Sequence, residues 1–369
     1  MKSILVVGAR GIPDVEGGVE KHVERLFPLV ASRGWKVCVA GMKPFVKARQ
    51  FRDVCLWCAP SLGVPGIDRL LYPIATLFKA MRMRPDIVHF AGLDSAKLLW
   101  AYKLIGCKII LRYGADCQAR AWNAPGKWAM QYSRYQLRWA DRVIAVTPAL
   151  AKTLRASGIV HKIHVIGNAL DRTENFPAKS GTLVRGDYIL FVGQMSQRKN
   201  IHNLMAAFRI FSKSYPQMQL VIVGKCNKTT GRKKIAALRE DRIVALGSLP
   251  RSELAPLYRD ARFFVNPSIR EGHSNTLLEA ISFSCPVLLS DLPENRDMRL
   301  NAKHYFNPEN IPSMVSALHR AHANPAVFRV NTDRFPQWEE IADRTITVYK
   351  KLLADDVNHQ SSRSEPSRI

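Results

Sequence analysis

The chain has 369 residues, 47% of them hydrophobic, which is enough for two ordinary cores and, by length, two domains. Its 55 Lys and Arg against 30 Asp and Glu leave a net charge of +25, a balance that favours anionic partners such as lipid headgroups, nucleic acid or phosphorylated substrates. No apolar run approaches the roughly 20 residues that span a bilayer, residues 4–7 are too short for a signal-peptide core, and seven scattered cysteines fit a reducing compartment, so a cytoplasmic protein is expected.

Residues 3–8 read as the first strand, and Gly17 and Gly18 open a helix to about residue 32, with Val19, Val23, Leu26, Phe27 and Val30 on one side. A glycine pair at a helix start lets a ligand or another backbone come close. Strands at 36–41 and 54–59 are joined by a basic connection carrying Lys43, Lys47, Arg49 and Arg52. Residues 69–84 are strongly apolar, flanked by arginines and broken by Pro73. They read either as a core helix covering the sheet or as an interfacial helix on anionic lipid. Residues 86–90 and 107–113 are further strands, the first containing His89 and the second running into Gly114, Ala115 and Asp116. A helix at 124–140 carries Trp128, Tyr132, Tyr135 and Trp139 among basic residues, a pattern that suits a buried face, a membrane belt or stacking on single-stranded nucleic acid. A strand at 142–146, a helix begun by Thr147 and Pro148, and a strand at 163–166 lead to Asn168-Ala169-Leu170-Asp171; 172–186 then reads as a linker.

A second alternation follows. Strands are expected at 188–192, 219–223, 243–246, 263–266 and 287–290, with a short one at 304–306. Helices are expected at 201–215, 251–259, from about Ser274 to Pro286, at 312–323 and at 338–353, with 354–369 a disordered tail. Two blocks of this kind make an α/β protein of two doubly wound, Rossmann-like parallel-sheet domains, 1–171 and 187–330, with ligand crevices at the carboxyl ends of the strands. The net charge is larger in the first half, +15 over residues 1–175 against +10 over the remainder.

The chemistry-bearing stretch is 263–295. Glu271 lies on a polar loop and Glu279 inside the following helix, where it shares a face with Asn275. Free amides at Ser274, Asn275 and Thr276 would form an anion site, so a phosphate there would have a carboxylate on either side. Taken alone, both glutamates also fit solvated charges. Taken alone, Arg198 and Lys199 fit an exposed basic loop. Cys55-x-x-Cys58, His161-x-x-His164 and His319-x-x-His322 lack supporting ligands, so no metal or cofactor is expected.

The E-x₇-E spacing from Glu271 to Glu279, followed by CPVLLSDLPEN, resembles the signature of retaining glycosyltransferases of family 4, which have the GT-B fold of two domains facing a central cleft. Gly17-Gly18-Val19-Glu20, Asp86-Ile-Val-His89, the Asn168–Asp171 junction and the loop Gly193-Gln-Met-Ser-Gln-Arg-Lys-Asn match the family's other motifs in order. The resemblance implies that Glu271 lies against the donor sugar and Glu279 binds the ribose. It puts Lys199, Arg198 and Ser274, Asn275 and Thr276 at the diphosphate, and Gly17 and Gly18 at the phosphates and acceptor. Glu271 and Lys199 are then the catalytic pair, and His89, Tyr113 and Asp116 lie on the acceptor side. In this fold the C-terminal helix, 338–353, returns to the first domain. Three positions depart from the pattern: no histidine occurs over 112–116, Gln194 replaces an arginine, and Ala169 replaces a glycine. The absence of a D-x-D pair argues against the metal-dependent GT-A class.

The implied function is transfer of a sugar from a nucleotide-diphosphate sugar to a glycan or polyprenyl-diphosphate-linked acceptor, in bacterial polysaccharide or lipopolysaccharide synthesis. It needs no metal and would take place on the anionic inner face of the cell membrane, with the protein cytoplasmic and peripheral. A sugar-nucleotide epimerase of the same fold, a basic nucleic-acid-binding protein and a GT-B protein of little activity remain as alternatives. Nucleic acid is the less expected partner.

Overall fold

The computed structural model describes residues 1–114, 131–132, 135–159, 162–171, 184–225 and 242–361. Two compact units form. The first comprises Met1–Asn168 together with Gln337–Ile369, and the second Ala169–Pro336.

The first unit is built on strands β1 (Ser3–Val7), β2 (Lys36–Met42), β3 (Gln50–Phe51), β4 (Val54–Ala59), β5 (Ile87–Phe90), β6 (Lys108–Tyr113), β7 (Arg142–Ala145) and β8 (Ile163–Val165). Their order across the sheet is β3-β4-β2-β1-β5-β6-β7-β8, parallel except for the β3–β4 pair. Its helices include α1 (Gly18–Ser32), α2 (Pro65–Met83), α3 (Leu99–Leu104) and α4 (Pro148–Ala156). The second unit has β9 (Tyr188–Val192), β10 (Gln219–Val223), β11 (Ile243–Gly247), β12 (Phe263–Asn266), β13 (Val287–Ser290) and β14 (Tyr305–Phe306), ordered β11-β10-β9-β12-β13-β14 and all parallel. Its longer helices are α5 (Ile201–Phe211), α6 (Arg251–Asp260), α7 (Asn275–Ser282) and α8 (Ile311–Ala323).

Parallel strands covered on both faces become continuous apolar runs, and successive side chains go to opposite faces. The second sheet shows this directly. Leu190, Val221, Phe264 and Leu289 pack with Tyr258, Leu277 and Ile281 on one side. Their strand neighbours Ile189, Ile222, Val265 and Leu288 pack with Leu204, Phe208 and Leu318 on the other. In each sheet the strand order reverses once, between β1 and β5 and between β9 and β12. Loops leaving such a pair of strands diverge, and the gap between them is where a doubly wound sheet binds its ligand.

Four expectations need correction. Pro73 does not break its helix: α2 is continuous from Pro65 to Met83. Proline removes one backbone donor there, while the Thr76 hydroxyl reaches back to the Tyr72 and Pro73 carbonyls, both at 3.0 Å. The basic connection after β2 contains the short antiparallel strand β3. A helix at 99–104 was not anticipated. Residues 354–361 are not a disordered tail, because the last helix, α9, runs from Trp338 to Ser361. Residues 362–369, most of the aromatic stretch 124–140 (Trp128 included) and the linker positions 172–183 lie outside the described residues.

Helix α9 belongs to the first unit through contacts made late in the chain. The Tyr349 ring meets Trp35 and His89 edge-on, and its hydroxyl lies 2.8 Å from His89 Nδ1 in a fully buried pairing. Tyr349→Phe leaves that nitrogen without its partner and should cost about 1–3 kcal/mol. Tyr349→Ala also opens a cavity and should cost about 3–5 kcal/mol. Denaturant unfolding of both variants checks the order; a neutral alanine variant would contradict this packing.

Candidate functional site

In the second unit the site grows from the two strands at the order reversal. After β9 the chain passes Gly193 and makes a tight turn at Gln197–Lys199 that ends on Asn200 in the left-handed region, φ 54°. After β12 it enters the loop 268–274. Two contacts fasten the turn, one to that loop and one to the segment after β14. The Ile269 amide donates to the Arg198 carbonyl at 3.0 Å, and the Asn200 side-chain amide donates to the Pro308 carbonyl at 2.7 Å. Behind them, the Gly193 amide donates to Val223 and that of Met195 to Lys225. Gly224 lets these backbones meet: a Cβ there would stand 2.0 Å from the Gly193 carbonyl oxygen. The Lys199 stem runs along the Gly193 backbone, where an added Cβ would touch Lys199 Cε at 3.6 Å.

This scaffold brings Lys199 Nζ onto Glu271 Oε1 as an ion pair, with side chains only 12% and 6% exposed. Ser268, fully buried, donates to the same oxygen at 2.8 Å and lies 2.7 Å from Asn266 Oδ1. Burial alone would raise the Glu271 pKa. The Lys199 and Arg198 charges, with the hydrogen bonds from Lys199 and Ser268, outweigh burial and hold the carboxyl below its usual range. Glu271 is therefore an ionised carboxylate, fixed and nearly dry.

Three residues after Glu271, Ser274 stands at the N-cap of α7 without capping it, since its hydroxyl pairs with Thr276 Oγ1 at 3.2 Å instead. The first amides of a helix have no intrahelical partner and attract anions. Asn275 and Thr276 are half-buried in that first turn. Glu279, one turn on, is buried rather than solvated. The Tyr258 hydroxyl of α6 donates to its Oε2 at 3.0 Å, and the Tyr258 ring stacks on Phe283 at 5.7 Å. Gln194 is exposed.

In the first unit, Gly17 and Gly18 are exposed at the start of α1. Gly17 has φ 143°, and a Cβ on it would stand 2.0 Å from Glu20 Oε2. That carboxylate is buried and clamps the preceding loop, accepting from Arg10 Nε at 2.7 Å and from the Arg10 amide at 3.2 Å. Glycine at 17 is thus required by the clamp. The loop leaves β1, at the order reversal of its own sheet.

The acceptor-side residues fare differently. His89 is fully buried, edge-on to Phe27 and Tyr349, and has no surface with which to touch an acceptor. Burial, with the Arg112 charge, pushes its pKa down to about 3. This corrects the acceptor-side expectation for His89: its place is structural. Tyr113 is also buried but lines a cavity of about 220 Å³ with Tyr135, Arg138 and Leu154. Asp116 lies outside the described residues.

Sequence reasoning missed Ser268, Tyr258, Gly224 and the Arg10–Glu20 clamp. It also missed the buried set in which Asn168 Oδ1 accepts from Arg112 at 2.7 Å and pairs with His22 Nδ1 at 3.1 Å. The spacing Ser268-x-x-Glu271 was open to view, whereas Tyr258 carries no signal that separates it from an ordinary core aromatic.

The family model described as Glycosyltransferase Family 4 matches residues 16–174, and that described as Glycosyl transferases group 1 matches 186–324. The O-antigen chain mannosyltransferase RfbU of Salmonella typhimurium is 30% identical over 192 residues, 50% of this chain and 51% of that protein. The GDP-mannose:cellobiosyl-diphosphopolyprenol alpha-mannosyltransferase of Xanthomonas oryzae is 27% identical over 241 residues, 63% of this chain and 62% of that protein. The matched stretches thus span about half to three fifths of these relatives. Among solved structures, sucrose-phosphate synthase from Thermosynechococcus elongatus superposes with TM-score 0.80 over 96% of this chain and 100% of its own, at 20% identity, a likeness of fold.

The Glu271–Lys199 pair carries a pH signature. Because the folded carboxyl titrates below the 4.5 of a free glutamate, the pair's contribution is complete above that value and is lost as pH falls through the folded pKa. Lys199→Met leaves the carboxylate buried without its main counter-charge. It should cost about 3–5 kcal/mol at pH 7 and much less in acid, where the carboxyl is protonated. Urea unfolding at both pH values checks this, and an equal loss at both would contradict it.

Proposed function

The chain belongs to glycosyltransferase family 4, and we propose that it moves a sugar from a nucleoside-diphosphate sugar to a glycan or polyprenyl-diphosphate-linked acceptor, with retention at the anomeric carbon. The carrying observation is the dry ion pair of Glu271 and Lys199 at the order reversal of the second sheet, one loop ahead of the α7 N-terminus.

Breaking the donor's glycosidic bond puts negative charge on the departing diphosphate and positive charge on the sugar ring. Fixed groups placed where charge develops stabilise the transition state without reorganising. Lys199 and Arg198, with the amides at Ser274, Asn275 and Thr276, supply the positive side. A lysine ammonium has three donors, so Lys199 can hold Glu271 and still meet a phosphate oxygen. Glu271 supplies the negative side against the oxocarbenium-like ring. Glu279, held by Tyr258, accepts from the ribose hydroxyls. A donor phosphate oxygen on the same face of the sugar takes the acceptor proton, so the new bond forms on the face the leaving group vacates.

Relatives named O-antigen chain mannosyltransferase and GDP-mannose:cellobiosyl-diphosphopolyprenol alpha-mannosyltransferase support GDP-mannose as the first donor to try. An acceptor of that kind puts the reaction at the cytoplasmic face of the membrane. No metal enters this scheme.

Glu271→Ala should lower transfer by about 10²-fold or more while the protein stays folded by circular dichroism; turnover equal to wild type would sink the assignment. Tyr258→Phe keeps the ring and removes the hydroxyl that donates to Glu279. It should raise the donor KM about tenfold and leave kcat near wild type, whereas a loss in kcat alone would remove Glu279 from donor binding.

A further inference from the structure

Helix α2 has two apolar faces, and the sheet uses one. Tyr72, Thr76 and Ala80 are buried against the unit. Ile67, Leu70, Ile74, Phe78 and Met81 are 44%, 69%, 46%, 64% and 48% exposed. Their spacing of three, four, four and three residues puts them on one stripe of the helix. The single acid of α2, Asp68, is turned back onto Ser61 Oγ and the Leu62 amide, both at 2.7 Å. Exposed Leu62 and Val64 prolong the stripe ahead of the helix.

Cations border it. Arg82 and Arg84 are exposed at the C-terminal end, and Lys79 lies over the Trp57 ring at 5.5 Å. Between helix and strand, Trp57, Leu71, Ile74 and Phe78 line an open groove of about 460 Å³ with Lys79 and Arg82 at its rim. The sheet edge beyond β4 adds exposed Lys47, Arg49 and Arg52. Helix α3, tied to α2 by the 2.9 Å Tyr102–Thr76 hydrogen bond, presents Trp100 and Leu104 at 40% and 77% exposure.

We infer that this face docks on a bilayer of anionic phospholipid, with α2 lying in the plane of the interface. The stripe would sit at the acyl boundary while Lys79, Arg82 and Arg84 reach the headgroups. Charge decides between occupants. An apolar patch of this extent marks an interaction surface. A second copy of the chain would bring a further +25 and the same arginine border against it, whereas an anionic surface complements both the stripe and its border. Among the described residues no helix is long and apolar enough to cross a membrane, so the contact is one of lying on the surface. The inference stands apart from the sugar chemistry and is read without any donor.

The test is flotation of the full chain with phosphatidylcholine vesicles, with and without phosphatidylglycerol. We expect binding only to the anionic vesicles, weakened by salt. Arg82→Gln with Arg84→Gln should lower the partition about fivefold per charge, and Ile74→Gln with Phe78→Gln more than about tenfold. Both pairs are exposed, so thermal unfolding in solution should not move. Absent binding to anionic vesicles at low salt, or equal binding by wild type and both variants, would overturn the inference. So would a dimer in solution that the Ile74/Phe78 variant dissociates.

Discussion

A lysine and a glutamate 72 residues apart meet where two strands of one sheet part company, and the arrangement around the site depends on that ion pair. Bringing two charges out of water is costly, and such a pair adds little net stability over well-packed apolar residues. Its presence therefore asks for a reason other than folding. The surroundings are built to keep it: Ser268 fixes one carboxylate oxygen, the Ile269–Arg198 hydrogen bond pins the loop to the turn, and Gly224 lets the supporting backbones touch. The transfer proposed for this chain separates charge in the same sense, with a carboxylate and a cation already fixed side by side.

The first unit repeats the logic with different groups. Its order reversal also carries a glycine-bearing loop, and there the buried acid is Glu20, paired with Arg10. The same unit holds a buried polar core in which Asn168 joins Arg112 and His22, and Tyr349 joins His89. Burial pushes the Arg112 pKa down to about 9 and that of His22 well below its usual value, with the Arg112 charge adding to the effect at His22. Neutral imidazoles beside a desolvated guanidinium make this a rigid support, and it explains why His89, part of a recognisable motif, has no surface to offer.

Much of this was legible in the sequence. Strands 188–192, 219–223, 263–266 and 287–290 fall where their apolar runs placed them, because a parallel strand buried on both faces announces itself without needing its neighbours. Glu271 and Glu279 stood out by spacing, and Lys199 by its loop. What stayed hidden depends on contacts distant in sequence. Tyr258 reaches Glu279 from another helix, and Arg10 acquires meaning only once α1 folds back on its loop. The two-residue strand at Gln50–Phe51 exists only through its pairing with Val54 and Cys55. Pro73 misled for the opposite reason: a strong local rule yielded to a helix packed along the sheet, with Thr76 bonded to the neighbouring carbonyls. Residues 69–84 read as strongly apolar and flanked by arginines, but which face the sheet would take was not visible.

The central claim is that Lys199, Arg198 and the α7 N-terminus form a seat for a sugar-nucleotide diphosphate. Titration calorimetry of the intact protein with UDP-, GDP-, ADP- and dTDP-sugars, and with the matching nucleoside monophosphates, tests it most directly. The account predicts that at least one nucleoside-diphosphate sugar binds, and at least about tenfold more tightly than its monophosphate, since each charge-assisted hydrogen bond to phosphate is worth about 1.5–3 kcal/mol. Binding of none of them, or equal affinity for monophosphate and diphosphate sugar, would contradict it.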